Sequence, residues 1–232
     1  GTSVSAGIFR AGVSSAGNVT SGAFGTSTIT VSRGAELDVA GFTVANVLSL
    51  AGTGVSGSGA VYNSTSTPGT LSGAMTLVGD TSIKGNAGAL TISGAINGAH
   101  ALDITTTNKT FTQSGVVGAT SAPTGFTVDA GTGNVTLGAA QTVAGPMTVY
   151  GGEVTLSAGT TLTAGAGADI VLAASGDFIN NAGASALAVS GGGRWIVYVG
   201  DTLGNTYGSL NSYQQGVFNK TYATLAPASV AA

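Results

Sequence analysis

The chain of 232 residues contains no cysteine, four prolines, one histidine and one tryptophan. Without cysteine there are no disulfides, no thiolate nucleophile and no cysteine-held metal. Charge is almost as scarce. Six basic and nine acidic residues make up 6% of the chain, against about a quarter in an ordinary globular domain. A net charge of −3 with scattered cations excludes the basic footprint of a nucleic-acid-binding surface. No apolar run approaches the ~20 residues of a membrane-spanning helix, and no secretory leader is visible from Gly1 onward. Helical periodicity is missing from Gly1 to Gly193, where the glycine density alone would cost a helix about 1 kcal/mol per glycine relative to alanine.

Glycine is plentiful: 40 residues, set among Ser, Thr, Ala and Val. Such a composition borders on disorder, but a hydrophobic share of 43% argues for a packed core. The apolar residues recur in short alternating triplets bounded by glycine. Ile29-Thr30-Val31, Met75-Thr76-Leu77, Leu90-Thr91-Ile92, Val135-Thr136-Leu137, Met147-Thr148-Val149 and Val154-Thr155-Leu156 are examples. Apolar residues at i and i+2 predict strands with one buried face. Val and Thr suit a pleated surface, and Gly and Asn suit the turns.

The triplets repeat. Gly133-Asn134-Val135-Thr136-Leu137-Gly138-Ala139 resembles Gly152-Glu153-Val154-Thr155-Leu156-Ser157-Ala158, 19 residues on. Gly73–Gly79 resembles Gly88–Gly94, and Gly17–Ala23 is a fainter copy. A unit of roughly 20 residues with two or three short strands is one coil of a solenoid. The expected fold is therefore all-β: a right-handed, single-stranded parallel β-helix over residues 1–193. About nine coils at ~4.8 Å per coil make a rod on the order of 40 Å long. Inward Val, Leu and Ile would form a continuous column, and outward positions need only be small or polar. The rival arrangement is a β-sandwich. It is disfavoured by the shortage of hairpin turns, for which Asn97-Gly98 is the one good candidate.

The texture changes after Gly191-Gly192-Gly193. Arg194-Trp195-Ile196-Val197-Tyr198-Val199 is a continuous apolar strand, and Tyr207, Tyr213 and Tyr222 follow. A solenoid end exposes unpaired strand edges, so residues 194–232 read as an aromatic-rich C-terminal capping segment and tail, with a short helical turn at Ser212–Phe218.

Three stretches of that segment carry a resemblance: Gly192-Gly193-Arg194-Trp195-Ile196-Val197-Tyr198, Thr206-Tyr207-Gly208-Ser209-Leu210-Asn211 and Phe218-Asn219-Lys220-Thr221-Tyr222-Ala223-Thr224. They look like the region that ends the β-helix of filamentous-haemagglutinin-like exoproteins of the two-partner secretion class in Gram-negative bacteria. The Leu90–Ile96 texture also resembles the β-helical stalks of that family and of autotransporter passengers. The resemblance implies export through an outer-membrane transporter barrel and folding outside the cell. It implies a place on the cell surface and adhesion or biofilm-matrix scaffolding without catalysis. The family's N-terminal secretion domain with its Asn-Pro motifs is not found, so the chain reads as an internal or distal fragment of a longer protein.

Few residues are candidates for chemistry. Glu36 and Asp38 share one face of a strand about 7 Å apart, near the spacing of glycosidase acids, but read as two solvated outward residues. Asp80, Asp103, Asp129, Asp169, Asp177 and Asp201 are spread along the chain. His100, the one candidate for a Ser/His/Asp triad, sits in the turn-like Gly98-Ala99-His100-Ala101. Ala164–Leu172 is a single imperfect copy of a calcium-binding β-roll repeat. The Thr-x-Thr pairs Thr28/Thr30, Thr105/Thr107 and Thr161/Thr163 are too scattered for an ice-binding plane. Trp195, Tyr198, Tyr207 and Tyr213 are the candidates for stacking on sugar rings, with cap core as their bland role. The reading is an extracellular adhesin or scaffold segment, not an enzyme, with no cofactor or metal, whose partners are polysaccharide or a host or bacterial surface. The alternatives are a β-helical polysaccharide-degrading enzyme and a filament subunit assembling end to end.

Overall fold

The computed structural model describes residues 1–15, 22–200, 203–212 and 220–230. Every strand pairing among them is parallel, and the chain winds into a β-solenoid of about eight turns with a continuous apolar core. Each turn lays down up to three strands, which stack into three faces. Face 1 comprises Thr2–Val4, Ile29–Val31, Leu48–Gly52, the start of Met75–Lys84, Ile96–Asn97, Gln141–Val143, Leu162–Ala164 and Leu187–Ala188. Val117 bridges Ile96 to Gln141. Face 2 comprises Gly7–Arg10, Ala35–Asp38, Val61–Tyr62, the end of Met75–Lys84, Ala101–Thr105, Gly125–Asp129, Met147–Gly151, Ile170–Ala174 and Trp195–Val199. Face 3 comprises Thr43–Val44, Gly69–Leu71, Leu90–Ile92, Phe111–Gln113, Val135–Leu137, Val154–Leu156 and Phe178–Asn180.

The period-2 triplets explain the cross-section. In Val135–Leu137 and Val154–Leu156 the outer two residues are buried and the threonine between them faces out. Stacking puts like above like: Leu90, Phe111, Val135, Val154 and Phe178 form one inward column on face 3. Backbone groups are satisfied from coil to coil. The Phe111 N–H donates to Asn134 O at 2.9 Å, and the Val135 N–H to Glu153 O at 2.8 Å.

The 19-residue repeat is a true coil-to-coil relation, since Val135 pairs with Val154. The resemblance of Gly73–Gly79 to Gly88–Gly94 is different in kind. Met75–Leu77 lies on face 1 and Leu90–Ile92 on face 3, so the copy joins two faces of one coil. The relation that stacks in this region is 21 residues long. It brings Leu71-Ser72-Gly73, Ile92-Ser93-Gly94 and Gln113-Ser114-Gly115 into one corner. There the Gly94 N–H reaches Leu71 O and the Gly115 N–H reaches Ile92 O. A Cβ on Gly94 would stand 1.9 Å from Gly73 O, and one on Gly115 2.1 Å from Gly94 O. These corners turn tightly enough that only glycine fits against the coil before.

At the C-terminal end lies Trp195–Val199. It pairs in register with Ile170–Ala174 as the last strand of face 2. The solenoid therefore runs past residue 193. Beyond it, Leu210 packs against the main core, and the Tyr207 ring lies 6.2 Å from that of Phe178. The proposed helical turn at Ser212–Phe218 lies almost wholly outside the described residues.

Gly94→Ala is expected to destabilise the solenoid by about 1–3 kcal/mol through overpacking. Gly12→Ala, with open space around it, serves as the near-neutral control. Denaturant midpoints of the two variants provide the comparison.

Candidate functional site

The parallel register of face 2 lines up one outward side chain per coil along the whole rod: Arg10, Asp38, Tyr62, Lys84, Thr105, Asp129, Tyr150, Ala173 and Tyr198. At ~4.8 Å per rung, this ladder gathers on one line residues far apart in sequence.

Its upper part is structural. Glu36 and Asp38 were expected to be solvated, and the structure corrects this: they are 2% and 3% exposed. Both stand on the outer side of Ala35–Asp38, but neighbouring segments cover them. The Ser58 hydroxyl, beside the short 3-10 turn Val55–Gly57, donates to Glu36 Oε2. Asp38 Oδ1 accepts the Ala40 N–H at 2.9 Å and the Ser64 N–H at 3.2 Å, and Oδ2 accepts the Ser64 hydroxyl at 2.7 Å. Arg10 Nε stands 3.4 Å from Oδ2. One carboxylate thus ties together three successive coils. Lys84 is also engaged, its Nζ donating to Gly57 O at 2.7 Å.

The lower part is open. Tyr150 and Tyr198 are separated on the ladder by Ala173, whose small side chain leaves a notch. Tyr222, from the chain that returns over this flank, occupies it. Its ring centroid lies 6.3 Å from Tyr150 and 5.7 Å from Tyr198, edge-on to the latter at 83°. Val171, Ala173, Ile196 and Tyr198 form a second, smaller apolar cluster outside the main core, with Tyr150 and Val230 against it. Arg194 clamps the returning segment. Its guanidinium donates to Val230 O at 2.7 Å and Pro227 O at 3.3 Å, and to Asp169 Oδ2 at 2.9 Å. The Tyr198 hydroxyl donates to Leu225 O at 2.8 Å. Burial pushes the Tyr198 phenol above its usual range, the neighbouring Tyr222 adds to that, and Arg194 opposes it.

Between the returning segment and the coils lies a cleft of about 450 Å³, walled by Tyr150, Tyr198 and Tyr222 and floored by Thr127, Thr148 and Asp129. Asp129 is exposed, and its Oδ1 accepts the Gly131 N–H at 2.9 Å. A cavity of this size suits a small ligand or a sugar unit, and tyrosine rings with flanking hydroxyls offer stacking and hydrogen bonding together.

Of the four aromatic residues singled out from sequence, the three described ones are not brought together. Trp195 packs against the main core, Tyr198 is wall of the cleft with 6% of its surface exposed, and Tyr207 lies against Phe178. Tyr213 lies outside the described residues, as does Asp201. His100 sits in a bend, its Nδ1 3.8 Å from exposed Asp80. In the calcium-like stretch, both Asp169 oxygens are occupied by Arg194, through its N–H at 2.8 Å and its guanidinium. Among the described residues no three His, Cys, Asp or Glu gather as a metal site. Of the Thr-x-Thr pairs, Thr30 and Thr163 lie on face 1 and Thr105 on face 2. An ordered threonine column does exist, on face 3: Thr43, Thr70, Thr91, Thr112, Thr136 and Thr155 stack on successive coils. Cross-strand threonine contacts of this kind stabilise a sheet by a few tenths of a kcal/mol up to about 1 kcal/mol each.

No family model, curated protein or solved structure matches the chain.

Asp38→Ala removes charge-assisted bonds spanning three coils and is expected to cost about 2–3 kcal/mol, measured by denaturant unfolding. The Asp169 carboxyl is held below its usual range, chiefly by the Arg194 hydrogen bond, with partial burial opposing. A depressed folded pKa means the clamp's contribution is complete above the unfolded aspartate value of about 3.9 and is lost as pH falls through the folded value. The Val230 methyl resonances should therefore hold steady from pH 7 to 5 and shift only in the acid range below the ordinary aspartate value. Arg194→Ala should abolish that titration.

Proposed function

We propose that this chain is a non-catalytic, extracellular adhesin or scaffold segment of a large secreted bacterial surface protein, holding polysaccharide or a cell surface against the flank of a stiff rod. The observation that carries this reading is the tyrosine-walled cleft on the face 2 ladder. It is a side-facing site on a solenoid whose backbone is self-satisfied from coil to coil, so it can be displayed laterally at a set distance from either end. The rod shape and the Ser- and Thr-rich outer positions fit a spacer exported through an outer-membrane barrel and folded outside the cell. The fate of Glu36 and Asp38 also supports a non-catalytic role. The two acids that strand spacing brings closest are committed to holding coils together.

A polysaccharide-degrading enzyme is the second reading, and one placement favours it. Asp103 and Asp129 both face outward on adjacent coils of face 2, offset by two positions, since Asp103 pairs with Thr127. Diagonal neighbours of this kind stand about 7–8 Å apart, within the range of an inverting acid–base pair.

The test is a glycan array with the isolated chain, run beside a reducing-end assay on the same polysaccharides. The adhesin reading expects binding to at least one matrix or host polysaccharide and no new reducing ends. Release of reducing ends that stops in Asp103→Asn would establish the enzyme instead. Failure to bind any glycan or any cell surface would remove the adhesin reading.

A further inference from the structure

One charged side chain, Asp129, lines the cleft. Asp129 is exposed at its floor and has no ion-pair partner among the described residues. The nearest cation on its ladder, Lys84, is two coils away and turned to Gly57 O. Of the other basic groups nearby, Arg194 is committed to Asp169, Pro227 and Val230, and the exposed Lys220 and Lys109 flank the cleft without lining it. Directly beside Asp129 in register stands Tyr150, and Tyr222 lies against Tyr150 with its ring tilted by 41°. A carboxylate next to two tyrosine rings, with a third behind them, is chemically complementary to an organic ammonium. The rings attract the cation through their negative faces, and the carboxylate supplies the counter-charge. Thr127 and Thr148 on the floor and Thr221 and Ser175 at the rim add hydroxyls, which a bare ammonium would not use and a sugar would.

We propose that the cleft walled by Tyr150, Tyr198 and Tyr222 binds a hexosamine unit of a polysaccharide through its free amine. The ammonium is seated against Asp129, the ring face rests on tyrosine, and the remaining sugar hydroxyls meet the threonines. The inference rests on the polysaccharide-binding reading and narrows it. N-acetylation removes the charge that Asp129 recognises, and a uronate brings a like charge against it. The polymer recognised is accordingly a deacetylated or partly deacetylated amino-sugar chain.

Isothermal titration with four probes tests this at low salt and pH 6: a fully deacetylated glucosamine hexamer, the N-acetylated hexamer, a galacturonate hexamer and choline. The deacetylated hexamer should bind at least tenfold more tightly than the acetylated and galacturonate hexamers and than choline. Asp129→Asn, which preserves shape, should erase the preference for the free amine, and Tyr150→Ala should weaken all sugar binding at least tenfold. Thr91→Ala on face 3 should leave both unchanged, and thermal melts confirm that each variant is folded. Equal binding of the two glucosamine hexamers, or an undiminished preference in Asp129→Asn, overturns the inference while leaving glycan adhesion standing. Choline binding more tightly than the deacetylated hexamer overturns the assignment to a sugar. If neither these probes nor any glycan on the array binds, the inference falls, and the adhesin reading falls with it when no cell surface is bound either.

Discussion

Each strand of this protein finds its hydrogen-bond partners in the coil before and the coil after, about 20 residues away in sequence and ~4.8 Å away in space. The rest of the structure depends on that parallel, in-register stacking. It puts like side chains above one another, so apolar triplets become a continuous core instead of separate patches. It also forces successive corners into close contact, which is why Gly73, Gly94 and Gly115 stack where a Cβ would strike a carbonyl oxygen of the coil before. A chain with so few charged residues and no cysteine is held together chiefly by this repetition.

The same stacking converts sequence separation into surface proximity. Asp129, Tyr150 and Tyr198 come from three different coils but share one outward line on face 2. Ala173 leaves room between the two tyrosines, and the returning segment fills that room with Tyr222 while Arg194 holds its end. The cleft is thus a consequence of the register, of one small residue and of one clamp. Under the proposed adhesin role, a polymer lying along the coil axis would meet one outward side chain per coil.

The solenoid was legible because its inward positions are constrained twice, by alternation within a strand and by stacking between coils. Val135–Leu137 and Val154–Leu156 show both constraints at a 19-residue spacing. Assignment of triplets to faces was not legible, because coil length is not constant: it is 19 residues there and 28 between Gly7 and Ala35. That variation made two faces of one coil look like successive coils at Met75 and Leu90. Burial of Glu36 and Asp38 was hidden for a related reason: the groups covering them, Ser58 and Ser64, belong to the next coil's connections. Tyr150 was passed over because it lies far in sequence from the aromatic C-terminal stretch. The signal that finds it is the register, read as Asp129 beside Tyr150 and Tyr150 two rungs from Tyr198. The threonine column on face 3 was visible as the middle residue of triplet after triplet, but needed the same register to become a line.

The most direct measurement of that stacking uses the absence of native cysteine. Two double variants, Thr91→Cys with Thr112→Cys and Ser93→Cys with Ser114→Cys, place thiols at successive outward positions of one coil pair. Neighbouring parallel strands hold their Cα atoms within disulfide range, about 4.4–6.8 Å. Both pairs should cross-link under mild oxidation, and Ser93→Cys with Thr110→Cys should not. If the Ser93 and Thr110 pair cross-links in place of the Ser93 and Ser114 pair, the strands run antiparallel, and the solenoid with its flank cleft is contradicted.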